Sequence, residues 1–314
     1  MNKFDIVMLV VLFIALIIVG TYAFFNVFPF QIQYFKTSDM PTEVNLNDST
    51  YEAVEAYPEG MLFYENIRYP DKFISYHIGS DCSEKRTIDA RNAFSIIQNQ
   101  TVLSFEEKDF GQIDVACSEN EIRDSGENII AGEGGPSIII NSFKYSVILN
   151  GTVLLYQDND CKEPLVAIHE ILHALGFQHS TNKKSIMYNV SNCNQKIDED
   201  IIFKISELYQ APSLPDLAFE NVSALKQGRY LDFELSVRNE GLVTANNVTL
   251  NIYGNGEIVS EYNLGDIPIG AGKSIKVQNA KIPFGATNLT FIIDEPGNIL
   301  ELDKKNNIKE LVLE

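Results

Sequence analysis

Hydrophobic and polar residues change their spacing three times along the chain, and each change predicts a different kind of structure. From Ile6 to Phe25, twenty residues carry no formal charge. As a helix this run would rise about 30 Å, enough to cross a bilayer. Residues 29–60 are polar and irregular, with Pro29, Pro41 and Pro58, and read as a juxtamembrane stalk. A regular pattern returns at Met61. Strand-like runs at 72–78, 101–105 and 112–117 surround a helical pattern over 83–99, where Ile88, Ala90, Phe94, Ile96 and Ile97 recur. Gly132 to Pro136 predicts a turn leading into a strand at 137–140. Residues 146–156 predict one strand or two, with Asn150-Gly151 as a candidate turn. A nearly apolar helix is predicted from Pro164 to Gly176, and a further one from Asp198 to Tyr209. Strand, helix, several strands and then helices make an α/β or α+β domain.

Ala211-Pro212-Ser213-Leu214-Pro215 marks a boundary. Beyond it the period shortens to alternation, with strands predicted at 216–222, 230–239, 246–253, 257–264, 273–282, 289–295 and 307–313. Seven short strands separated by Asn, Gly and Asp turns predict an all-β immunoglobulin-like sandwich. The organisation read from the pattern is therefore an N-terminal helix (1–28), a stalk (29–60), an α/β or α+β domain (61–211) and a sandwich (212–314).

Composition narrows the classes. The chain has 43 Asp and Glu against 24 Lys and Arg, a formal net charge of −19, which disfavours nucleic-acid partners. The N-terminal run fits either an uncleaved signal anchor or a signal peptide ending near Thr21-Tyr22-Ala23. The apolar residues Phe24, Phe25, Val27 and Phe28 continue past that point and favour the anchor. Export follows from both readings: a single-pass protein with its domains outside the cell, or a secreted one if the segment is cleaved. Four cysteines, Cys82, Cys117, Cys161 and Cys193, suit an oxidising compartment.

The chemistry concentrates in one run, His169-Glu170-Ile171-Leu172-His173-Ala174-Leu175-Gly176-Phe177-Gln178-His179, which holds three of the four histidines in the chain. His169 and His173 are four apart, so a helix presents both imidazoles on one face. Zinc accepts histidine nitrogen at about 2.0–2.1 Å and, in catalytic sites, keeps a position open for water. Glu170 is the candidate general base for that water. Gly176 can adopt a left-handed conformation at low cost, which lets the chain turn back and offer His179 as a third ligand. Asp158-Asn159-Asp160 leaves calcium possible, but the spaced loop pattern is missing.

This run, with Ser185-Ile186-Met187-Tyr188 eight residues after His179, resembles the metzincin zinc peptidases, and His179-Ser180 with Ser-Ile-Met-Tyr is most similar to the matrixins. The chain departs from that pattern at Asn189, where matrixins usually place a proline, and it has no cysteine-switch propeptide. The resemblance implies a zinc endopeptidase acting on protein or peptide substrates, with Met187 as a hydrophobic floor beneath the metal. It also implies that the first and third strands are parallel neighbours, which would let Cys82 pair with Cys117. Cys161 and Cys193 would then tie the helix start to the segment after the Met-turn. An edge strand before the helix, either Ser137–Asn141 or part of 146–156, would pair with extended substrate. Residues 214–314 resemble CARDB-type sandwiches through Pro215-Asp216-Leu217, Asn239-Glu240-Gly241, Gly265-Asp266-Ile267, Gly272, Asp294, Glu301 and Asn306-Asn307. That resemblance implies a surface module with a cell-surface partner, or a spacer. The competing reading of the whole chain is an adhesion or peptide-binding protein with a structural or inactive zinc site.

Overall fold

The computed structural model describes residues 30–36, 60–123, 129–156 and 161–313. The N-terminal helix and the Asp158–Asp160 turn lie outside these residues, and among those described no helix is long and apolar enough to cross a membrane.

The elements in chain order begin with β1 (Phe30–Lys36), β2 (Ile67–Arg68), β3 (Phe73–Ile78) and helix α1 (Glu84–Gln100). Next come β4 (Ser104–Glu107), β5 (Ile113–Cys117), the short pair β6 (Ile122–Arg123) and β7 (Ile129–Ile130), β8 (Gly132–Asn141) and β9 (Ser146–Leu155). Helices α2 (Leu165–Ala174) and α3 (Glu199–Leu208) complete the first domain. The second domain contains β10 (Leu217–Gln227), β11 (Tyr230–Asn239), β12 (Ala245–Gly254), β13 (Glu257–Ile267), β14 (Ala271–Lys281), β15 (Asn288–Ile293) and β16 (Ile308–Val312).

The first domain is a mixed sheet in the order β2-β9-β5-β3-β4, with β8 added antiparallel to β9. Strands β3, β4, β5 and β9 are parallel. Ser83 caps α1 by accepting from the Arg86 amide at 3.3 Å. Below that cap Ala90, Ala93, Phe94 and Ile97 are buried in the core, with Phe94 stacked on Tyr76 at 3.9 Å between ring centroids. Cys82 and Cys117, at the ends of neighbouring β3 and β5, form a disulfide with Cα atoms 4.8 Å apart. Cys161 and Cys193 form a second, linking the approach to α2 with the segment after Met187.

The second domain packs two sheets, β1-β14-β11-β10 and β13-β12-β15-β16, around a separate core that includes Leu235, Leu250, Ile275 and Phe291. All seven strands expected after residue 212 are present. The expected stalk is corrected at its start: residues 30–36 are a strand paired antiparallel with β14 from Phe30↔Val277 to Lys36↔Ala271. The alternation of Phe30, Ile32 and Tyr34 with Gln31 and Gln33 is the signal that the irregular reading passed over. One further expectation changes: Gly132–Pro136 is not a turn but the first half of β8. Of the two readings of 146–156 the single strand is present, with Asn150-Gly151 inside continuous β9.

A buried cation closes the first domain. Arg68 is 2% exposed and donates to the carbonyls of Leu208 (2.7 Å), Ala211 (2.8 Å), Tyr69 (2.9 Å) and Pro70 (3.0 Å). Its guanidinium lies 4.2 Å from the Tyr209 ring centroid. The residue thus satisfies the carbonyl end of α3 and the interdomain linker with one planar fork, a geometry that lysine lacks. Burial lowers its pKa. Arg68→Met is expected to destabilise the first domain by about 3 kcal/mol, because several carbonyls lose their donor. Arg68→Lys should recover only part of that loss. Denaturant unfolding followed by far-UV circular dichroism measures both.

Candidate metal centre and its cleft

Every residue of α2 from Leu165 to Ala174 is buried, including three that can ionise. The helix ends in a Schellman turn: the Gly176 amide donates to His173 O at 2.8 Å and the Phe177 amide to Leu172 O at 3.1 Å. Gly176 sits at φ +100, and a Cβ there would come 2.7 Å from Ile67 Cγ2. The turn reverses the chain, so His179 faces His169 and His173 although it lies off the helix.

The ligand atoms of the three histidines all lie within 4.8 Å of one another, and His169 Nε2 and His173 Nε2 are 3.0 Å apart. Two backbone carbonyls fix the tautomers. His169 Nδ1 donates to Ile186 O at 2.6 Å and His173 Nδ1 donates to Phe177 O at 2.7 Å. Each Nε2 lone pair is thereby aimed inward, toward the other imidazole. Two nitrogens on a tetrahedral zinc at 2.0–2.1 Å are about 3.3 Å apart, so this donor set fits zinc.

Met187 is 1% exposed. Its turn does more than pack. Ile186 supplies the carbonyl for His169, and Met187 O accepts the Ser180 amide at 2.7 Å, immediately after His179. Ser185, fully buried, bonds Asp198 through its hydroxyl and accepts the Met187 amide at 3.0 Å. The turn therefore bonds the ring of His169 and the residue after His179.

Glu170 is 6% exposed, and its pKa is pushed up to about 8, first by burial and then by the charge of Glu133. Burial pushes His169 down to about 4, with His179 adding to the effect, and His173 down to about 3, with His169 and His179 adding to it; His179 is lowered by burial as well. Glu133 also hydrogen-bonds Tyr156, whose hydroxyl is pushed up to about 12, mainly by burial. The sequence reading passed over Glu133, since an isolated glutamate between glycines carries no spacing signal. It also passed over Met61–Phe63, where Phe63 N donates to Gly176 O at 2.9 Å and Gln178 N donates to Met61 O at 2.9 Å. These bonds hold the loop between His173 and His179 from its outer side. His77, the fourth histidine, lies apart on β3, with Nδ1 3.1 Å from Lys108 O.

The glycines before β9 now have a reason. A Cβ on Gly134 would come 2.2 Å from Glu170 O, and one on Gly132 would come 2.8 Å from Glu170 Cγ. Strand β8 can lie flush on α2 beside the glutamate only because those positions have no side chain.

The buried groups set a pH dependence for the metal-free protein. An unfolded chain takes up protons on histidine near pH 6.5, but His169 and His173 resist until about 4 and 3, so acidification below 6.5 lowers stability. Glu170 acts in the opposite sense. Its contribution is complete below pH 4.5 and is lost as pH rises to about 8. Denaturant unfolding of metal-free protein is expected to give maximal stability at about pH 6.5, where the two trends cross. A monotonic trend from pH 4 to 9 would contradict buried neutral side chains.

Residues 69–210 match the family model described as Matrixin, and residues 214–311 match the CARDB family model. Among solved structures, the CARDB domain of a Pyrococcus furiosus protein, crystallised in complex with di-metal ions, is 17% identical to this chain. The match covers 32% of this chain and 90% of that one, with a TM-score of 0.28. A solution structure of the same domain matches at 17% identity over 95% of its length, with 32% of this chain covered and a TM-score of 0.28. The chain thus carries a matrixin-family domain followed by a CARDB domain.

Proposed function

We propose that this protein is a zinc-dependent endopeptidase held outside the cell by its N-terminal helix. The observation that carries the reading is the convergence of His169, His173 and His179 at the helix that also buries Glu170. The matrixin match, in a zinc-dependent family, supports it.

His169 Nε2, His173 Nε2 and an imidazole nitrogen of His179 would hold the zinc, with Met187 packed beneath. When bound, zinc supplies Lewis acidity, activating a water and polarising the scissile carbonyl. The positive charge of a bound zinc would favour the ionised form of Glu170 over the protonated one that burial favours in the metal-free chain. The carboxylate then takes a proton from the attacking water and passes it to the nitrogen of the departing amine. Burial keeps this proton on the protein between the two transfers. Peptide binds by strand addition to β8. Of the two candidate stretches read from the sequence, β9 is flanked by β8 on one side and β5 on the other, whereas β8 pairs with β9 alone among the described strands. That leaves the β8 backbone free to bond an extended peptide lying over Glu170.

Placement at the cell surface rests on the apolar run from Ile6 to Phe25 and on two disulfides, which persist in oxidising compartments.

Glu170→Ala is expected to retain one zinc per chain while losing peptide hydrolysis by a factor of about 100 or more, the usual worth of a general base. A fluorogenic peptide library, with chelation and zinc add-back, reads the activity. Equal cleavage by wild type and variant would refute the assigned base. Bound zinc without turnover of any peptide would favour a peptide-binding or adhesive role instead.

A further inference from the structure

By composition, β8 is a poor strand. Its sequence GEGGPSIIIN has three glycines and a proline in ten residues, so it gains little from side-chain packing and lacks one backbone donor. Its pairing with β9 shifts register between Pro136 and Ile138 and again between Ile138 and Ile139. A strand of this kind needs anchors at its ends. The Gly132 end is anchored by close packing on the backbone and side chain of Glu170.

The other end is anchored by the CARDB domain. The tip between β8 and β9 is a tight reversal in which the Ser142 amide donates to Tyr145 O at 2.8 Å and Phe143 takes φ 71. Ser142, fully buried, donates its hydroxyl to Glu240 O at 3.2 Å. Lys144 Nζ reaches Asp216 at 2.6 Å and Glu240 at 3.4 Å, while its own carbonyl accepts from Asn66 Nδ2 at 3.1 Å. Asp216 is 1% exposed, and its second oxygen accepts from Asn306 Nδ2 at 2.8 Å. Gly270 completes the seat, since a Cβ there would come 2.5 Å from Asn141 O. A carboxylate buried to this degree depends on its counter-ion, so the tip is held by a charge-assisted contact.

We propose that the CARDB domain is a working part of the peptide cleft: through Asp216 and Glu240 it clamps Lys144, and Lys144 positions the β8 edge on which peptide pairs. The inference rests on the peptidase reading for the role of β8. Lys144 is a positioning residue; it lies at the far end of β8 from Glu170. Losing the clamp should free the weak strand to fray from its tip, weakening peptide binding while leaving the metal centre intact.

The test uses the full-length, zinc-loaded chain. Lys144→Ala is expected to raise KM about tenfold, in the usual range for coupling between sites, with kcat within about twofold and zinc stoichiometry unchanged. Hydrogen exchange should accelerate across residues 132–141. Lys144→Arg should restore both, because a guanidinium can still bond the two carboxylates. If Lys144→Ala does not fold, Glu240→Gln, which removes only the longer ion pair, should give the same pattern in smaller measure. A lowered melting temperature with wild-type KM and exchange across 132–141 would overturn the proposal and leave the contact purely structural. If no peptide is cleaved by wild type, the peptidase reading fails separately. Exchange across 132–141, and binding of a peptide library to zinc-loaded Glu170→Ala with and without Lys144→Ala, still decide the clamp.

Discussion

Ile186 O and Phe177 O each accept a hydrogen bond from Nδ1 of a buried imidazole, and the geometry of the histidine cluster depends on those two bonds. A histidine buried to 7% exposure is neutral, and a neutral imidazole has one donor nitrogen and one acceptor nitrogen. Giving the donor to a backbone carbonyl decides which nitrogen remains for a metal. The two carbonyls come from different places. Phe177 is delivered by the Schellman turn that Gly176 permits, and Ile186 by the turn that Ser185 ties to Asp198 at the start of α3. The Cys161–Cys193 disulfide joins the segments on either side of this arrangement. The histidine cluster is therefore a junction of the helix end, the turn at Met187 and α3.

How much of this was legible in the sequence depends on whether a feature is local. The spacing of His169 and His173, the stop at Gly176 and the return at His179 are all contained in eleven residues, and a helix followed by a left-handed turn converts that spacing into geometry directly. The seven strands of the second domain were legible for the same reason, since alternation is a nearest-neighbour property. Gly132 and Gly134 were not. Their composition says turn, and only the approach of Glu170 across a gap of more than thirty residues makes an extended strand the answer. Tertiary contact overrode propensity there. Arg68 was missed for a related reason: a single arginine has no period, and its carbonyl partners at Leu208 and Ala211 are 140 and 143 residues distant. The strand at 30–36 carried a visible alternation, but three prolines in the surrounding stretch made the whole segment read as irregular.

The composition of β8 also answers a problem that any peptide-pairing edge must solve. An unpaired strand edge templates whatever extended chain it meets, including another copy of itself, so proteins blunt such edges with prolines, bulges, charges or short length. Strand β8 has Pro136, register shifts on both sides of Ile138 and a charge at Glu133, which together make it a weak template for self-association. The same features make it a weak member of its own sheet. A stronger strand, rich in β-branched residues along its whole length, would hold itself in place but would invite aggregation and could not lie against Glu170 without side chains intervening. Anchoring a weak strand at both ends, on α2 at one and on Asp216 and Glu240 at the other, separates the two requirements. On the proposed pairing, receptivity to peptide would be left to the backbone of β8, and its position would be set from outside the strand. A sandwich on a loose tether would be a poor source of a buried carboxylate for the hairpin tip, and Arg68, buried in the first domain, bonds the linker at the Ala211 carbonyl.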